Sequence, residues 1–177
     1  MKVPLLDLKK QYAGVRDETK RMLEDILESQ YFIGGPYVAK FEEAVAEYSG
    51  TKFAVGVSSG TDALLASLMA LGIYRSPLDE GAPDEVVVPA YTFFATAGCV
   101  WRAGARPVFA DIDADTYNID PKSFEAKISP RTKAVMPVHL YGQCARMDEI
   151  CQIARANDIK VVEDGAQAIG AKRDGVR

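Results

Sequence analysis

From Phe53 onward short apolar runs alternate with helical stretches, and no other feature of this chain narrows its fold as much. The runs at 53–57, 86–90, 106–112, 134–140 and 160–163 read as buried strands, with helical stretches near 61–72, 93–103, 121–128 and 147–157 between them. Strands that alternate with helices make an α/β fold, a mainly parallel sheet covered by helices on both faces. The 61–72 stretch is apolar nearly all round, which predicts a buried helix. In such sheets ligands bind beyond the carboxyl ends of the strands, so function is sought in the residues after each strand.

Two amphipathic helices precede this region. Val15, Met22, Leu23, Ile26 and Leu27 recur at helical spacing, as do Val38, Phe41, Ala44, Val45 and Tyr48, with a Gly34-Gly35-Pro36 break between the sets. The division expected is a helical arm over 1–50 and an α/β domain over 51–177. Near the C-terminus, Asp174-Gly175 is a hairpin signal whose second arm is only two residues long, so the architecture reads as interrupted.

Composition removes several function classes. The 21 Lys and Arg against 25 Asp and Glu give a net charge of −4 without a basic cluster, so nucleic acid is not an expected partner. No apolar stretch is long enough to span a bilayer, and the first residues carry no signal-like apolar segment, which predicts no membrane association and a cytoplasmic location. Cys99, Cys144 and Cys151 lack the spacing of a zinc site or a disulfide framework. The single histidine, His139, excludes mechanisms that need two. Neither a P-loop nor a dinucleotide fingerprint is present.

Three strand ends carry chemistry. Gly56-Val57-Ser58-Ser59-Gly60-Thr61-Asp62 offers small residues and a helix N-terminus, a cradle for phosphate with the Ser59 and Thr61 hydroxyls as added donors. The same residues also make a plain tight turn capped by Ser59 or Thr61. Asp62 competes with an anion there, so it is expected to point away or cap a neighbouring backbone. Gly56-x-Ser58-x-Gly60 matches a nucleophile elbow as well, which would require Ser58, His139 and an acid from Asp111, Asp113 or Asp115. After the second strand come Phe93 and Phe94, of which one is expected in the core and the other as a stacking platform for a planar ring. After the last strand come Glu163 and Asp164, pointing to opposite sides, with Gln167 three residues beyond Asp164. A turn-capping Asp is the alternative reading of Asp164.

Together these segments resemble the DegT/DnrJ/EryC1/StrS aminotransferases, pyridoxal-phosphate enzymes that aminate nucleotide-linked keto sugars. The matching stretches are Tyr31 to Pro36, Ser59 to Leu64, Pro89 to Thr96, Asp111 to Asp113, Pro137 to Gly142 and Glu163 to Ala168, in the family's order along essentially the whole chain. The resemblance implies the large domain of a fold-type I pyridoxal-phosphate enzyme. Gly60 and Thr61 would hold the cofactor phosphate, Phe93 would stack on the pyridine ring, Asp164 would pair with the ring nitrogen, and Gln167 would bond the ring hydroxyl. It further implies glutamate as amino donor, a nucleotide-sugar acceptor and a homodimer. The family usually has Ala at Gly165, and a shorter turn where this chain has Tyr74 to Glu85. Its Schiff-base lysine and small C-terminal domain lie downstream of the region matched here. The chain therefore reads as the N-terminal, truncated portion of such an enzyme, inactive alone and with no catalytic lysine of its own. A non-catalytic regulatory or sensory protein of the same fold is the alternative.

Overall fold

The computed structural model describes residues 3, 6–75 and 80–175. The chain folds as two compact units, Met1–Gly56 and Val57–Arg177.

The first unit holds two helices, α1 (Leu8–Ser29) and α2 (Pro36–Ser49). The Asp7 carboxylate caps α1 by accepting from the Lys10 N–H at 3.0 Å. Pro36 opens α2 at a position where its missing N–H costs nothing, and Gly50 ends the helix at φ 68°. The Tyr37 hydroxyl donates to Asp25 at 2.7 Å and ties one helix to the other. Neither helix buries a residue: of the apolar positions that the spacing singled out, Leu23, Leu27, Phe41 and Tyr48 stand exposed, and Ile26 and Val45 are half-buried.

The second unit is built on four parallel strands: β1 (Glu85–Pro89), β2 (Arg106–Ala110), β3 (Thr132–Val135) and β4 (Lys160–Val161). Helix α3 (Gly60–Ala70) precedes β1. Helices α4 (Phe94–Arg102), α5 (Pro121–Ala126) and α6 (Met147–Ala156) make the crossovers. Strand alternation divides the core in two. Val86 and Val88 of β1 pack with Leu64 and Leu68 of α3 and Cys99 and Val100 of α4. Val87 faces the other way, onto Phe124 of α5 and Ile150 and Ala154 of α6. The sheet is thus clothed on both faces, as the alternation predicts.

Strand order is β2-β1-β3-β4. The chain leaves β1 toward one edge and returns to its other side, so the crossovers part between β1 and β3. At that switch point the carboxyl ends of the strands open a crevice.

Three expectations are corrected. Residues 53–57 do not form a strand: they pair with no strand among the described residues, and Phe53 and Val55 are largely exposed. An apolar run becomes a strand only when a neighbouring edge takes its hydrogen bonds. Helix α3 is not buried all round. Leu64 and Leu68 are buried, but Met69 and neighbouring Leu71 are exposed, because only one helix face meets the sheet. The third strand ends at Val135, short of Pro137, although an isolated parallel bridge between Val138 and Asp164 continues its direction.

Asp174 and Gly175 both adopt positive φ, 51° and 82°, as a hairpin turn requires. The two residues of its second arm lie outside the described residues, as do 76–79 of the long loop from Tyr74 to Glu85. Among the described residues no helix is long and apolar enough to cross a membrane, and no cluster of metal-ligating side chains occurs.

Candidate functional site

A cavity of about 240 Å³ lies at the switch point. Its wall takes Gly60, Thr61 and Leu64 from α3, Thr92, Phe93 and Ala95 from the start of α4, Val138 and Leu140 after β3, and Asp164, Ala166 and Gln167 after β4. The residues singled out from sequence for the cofactor, Gly60, Thr61, Phe93, Asp164 and Gln167, come from three separate segments and line this one cavity.

At the α3 end, the Ser59 hydroxyl oxygen caps the helix by accepting from the Asp62 N–H at 3.1 Å. The N–H groups of Gly60 and Thr61 lie in the first turn, where no helical carbonyl reaches them. A Cβ built on Gly60 would meet nothing within 4 Å, so the space beside these donors is open. The donor set differs from the expectation in one respect. The Ser59 hydroxyl gives its proton to Asp62 Oδ2 at 2.9 Å, and Ser58 does the same at 2.6 Å, so neither is spare for an anion. Among the described residues the Asp62 carboxylate caps no backbone N–H. The two serine hydroxyls, Ser58 first, hold it below the usual carboxylate range, with Arg102 adding to the effect.

Phe93 and Phe94 are both exposed, 70% and 83%, so neither joins the core. The expectation of one core ring fails because α4 begins at Phe94 and turns Thr96, Cys99 and Val100 inward instead. Phe94 lies over Gly98, where an added Cβ would come within 2.9 Å of the ring. Phe93, just before the helix, faces the cavity.

Asp164 is only 6% exposed. Its Oδ2 accepts from the Thr96 hydroxyl at 3.0 Å and its Oδ1 from the Ala166 N–H at 3.2 Å. Its backbone is fixed in the ladder, with the N–H on the Pro137 carbonyl and the carbonyl accepting from His139 N–H. Glu163 points away, as strand alternation requires, and meets His139. Gln167 Oε1 accepts from the Tyr141 N–H at 2.8 Å, which leaves its amide nitrogen as a donor. Tyr141 sits at φ 56° in a short 3-10 turn, Leu140–Gly142.

Sequence reading missed Thr92 and Thr96. Two hydroxyls opening an otherwise apolar helix are a faint signal, since threonine at a helix start is also an ordinary cap.

The serine-nucleophile arrangement is not assembled. The Ala145 N–H donates to His139 Nδ1 at 3.1 Å, so the ring proton sits on Nε2 and is directed at Glu163, 2.9 Å away. Both ring nitrogens are taken, and the Ser58 hydroxyl is committed to Asp62. Of the candidate acids, Asp113 is held by the N–H groups of Asp115 and Thr116 and by Arg146.

The sequence model of the DegT/DnrJ/EryC1/StrS aminotransferase family matches residues 14–177. The chain belongs to this family. Among curated relatives, a "pleiotropic regulatory protein" of Geobacillus stearothermophilus is 49% identical over 175 residues, covering 99% of this chain and 45% of its own length. UDP-2-acetamido-2-deoxy-3-oxo-D-glucuronate aminotransferase of Pseudomonas aeruginosa is 43% identical, with 99% of this chain and 47% of its own length covered. Among solved structures, NtdA of Bacillus subtilis with bound cofactor PMP superimposes with a TM-score of 0.88 at 36% identity, covering 98% of this chain and 39% of that one. This member of the DegT/DnrJ/EryC1/StrS family thus spans less than half the length of the relatives it matches. The shared fold is that of the large domain of fold-type I pyridoxal-phosphate enzymes.

Proposed function

We propose that the protein transfers an amino group to a nucleotide-linked keto sugar, with pyridoxal phosphate as cofactor and glutamate as donor. The observation that carries this reading is the cavity itself: backbone donors, an exposed aromatic ring, a buried carboxylate and an amide converge at the switch point from distant parts of the chain.

The donor set fits the group. The Gly60 and Thr61 N–H groups, with the Thr61 hydroxyl, would hold the phosphate dianion at the positive end of α3. Phe93 would stack on the pyridine face. Asp164 would accept a charge-assisted hydrogen bond from the protonated ring nitrogen and so keep the proton there, and Gln167 would donate to the ring hydroxyl from the amide nitrogen that Tyr141 leaves open. When bound, the cofactor supplies an electron sink for the carbon that exchanges its amino group. We assign no Schiff-base lysine among these residues.

Active sites shared across a homodimer belong to the same reading, and the uncovered apolar residues of α1 and α2 support it. A cytoplasmic setting is part of it too, with all three cysteines present as free thiols.

The test is to incubate the full-length protein with glutamate and nucleotide-linked 3-keto and 4-keto sugars, following amino-sugar by mass spectrometry. Formation of amino-sugar with matching 2-oxoglutarate is expected. No transfer to any keto sugar by protein that holds the cofactor would overturn the reading and favour a second one. That reading is a regulatory protein on the same fold, which the name of the Geobacillus relative supports.

A further inference from the structure

We propose that Thr96 is a positioning residue, which aims the Asp164 carboxylate at the ring of the bound cofactor. The inference rests on the cofactor reading above and goes beyond it. A carboxylate rotates almost freely about its last torsion, since the wells there are broad. Two bonds from different elements remove that freedom for Asp164. Ala166 N–H holds Oδ1 from within the same turn, and Thr96, from the first turn of α4, holds Oδ2.

The direction of donation follows from counting protons. The Thr96 hydroxyl has one, and it goes to Asp164 Oδ2 at 3.0 Å. Thr92 and Thr96 hydroxyls lie 3.0 Å apart, so in that pair Thr92 donates. The line of donors runs from Thr92, on the cavity wall, through Thr96 to Asp164. Thr96 is 0% exposed, so water cannot replace its hydroxyl. Bonds between buried groups such as Thr96 and Asp164 polarise one another, which stiffens the arrangement further. Nothing in helix packing needs an oxygen here, because Cys99 and Val100 carry the apolar contacts of α4.

The test uses the full-length protein and two readouts besides turnover: affinity for pyridoxal phosphate by equilibrium dialysis, and the nitrogen-15 resonance of ring-labelled pyridoxal phosphate. Thr96→Val keeps the shape and removes the hydroxyl; Thr96→Ala does so without a β-branch, should valine fail to fold; Thr96→Ser restores the donor. Loss of the pin is expected to weaken binding about tenfold, near 1.4 kcal/mol, and to move the ring resonance toward the unprotonated position. Serine is expected to return both to the wild-type values. A valine or alanine variant whose ring resonance and affinity match wild type would overturn the proposal, even if its melting temperature fell. A wild-type protein that binds no pyridoxal phosphate would overturn the cofactor reading itself, and this inference with it.

Discussion

Ser58 donates its hydroxyl proton to Asp62 Oδ2 across 2.6 Å, one helical turn away, and Ser59 adds a second bond to the same oxygen. A segment that matches a nucleophile elbow by pattern is in fact a helix start whose serines hold the first-turn acid in its ionised form. Hydroxyls bonded to the ionised form favour it, and Asp62 is held below the usual carboxylate range by them. A depressed folded pKa gives stability that is present above the unfolded value, about 3.9, and lost as pH falls toward the folded one. Asp62→Asn is expected to flatten part of the acid limb of the melting temperature against pH, below about pH 4, and to leave the neutral limb's slope unchanged. Identical slopes in both proteins down to pH 2 would remove Asp62 from the acid transition.

Asp164→Asn tests the other charge. The amide keeps the size: its oxygen can still accept from the Ala166 N–H while its NH2 donates to the Thr96 hydroxyl, which can then donate to Thr92, so the fold is expected to hold its melting temperature. What it loses is the negative charge opposite the ring nitrogen. Breaking a desolvated ion pair costs about 3–5 kcal/mol. Turnover by the full-length protein is therefore expected to fall by two or more orders of magnitude, with cofactor affinity reduced as well, as measured by steady-state kinetics and dialysis. Wild-type turnover in this variant would show that Asp164 is not the ring partner.

The central strand was legible because Val86 to Val88 is a continuous β-branched run that only a two-sided burial explains. The Asp164 end of the cavity was legible for the opposite reason: two acids finishing an apolar strand are too costly to leave unassigned. Residues 53–57 misled because hydrophobicity reports burial, whereas a strand is decided by a partner edge. Phe93 and Phe94 misled because adjacent aromatic rings give no phase until the first residue of the helix is known. Thr96 stayed invisible since its bond to Asp164 joins positions 68 residues apart, which no local pattern records.

Cys99 offers a prediction from burial alone. Burial pushes its thiol up to about 11, with the nearby charge of Asp164 acting in the same direction. The thiolate is the reactive form, so Cys99 is expected to resist iodoacetamide at pH 8 in the folded protein, while half-exposed Cys144 and Cys151 react first. For an acid whose folded pKa is raised, the contribution to stability is present below the unfolded value, about 8.5, and is lost as pH rises through the folded one. The melting temperature is thus expected to fall between roughly pH 8.5 and 11, less steeply in Cys99→Ala. Rapid labelling of Cys99 at pH 8, read by peptide mass, would contradict its burial.

Two glycines should answer the same substitution with opposite signs. Gly104 follows the end of α4 at φ +76°, and a Cβ there would lie 2.6 Å from the Arg75 carbonyl oxygen. That carbonyl belongs to backbone and cannot swing aside like a side-chain tip. The alanine variant carries both the left-handed strain and the clash, which together are expected to cost about 2 kcal/mol or more. Gly165, beside Asp164, has no positive φ, and a Cβ there would meet nothing within 4 Å. Alanine fits the native backbone at that position and restricts the unfolded chain, which is worth about 0.4–1 kcal/mol of added stability. At roughly 2–4 °C per kcal/mol for a chain of this size, Gly104→Ala is expected to lower the melting temperature by several degrees and Gly165→Ala to raise it by one to three. Thermal unfolding of both variants beside wild type is the measurement. A drop for Gly165→Ala would mean that the turn after Asp164 is tighter than its open surroundings indicate, and a neutral Gly104→Ala would mean that the loop bearing Arg75 gives way.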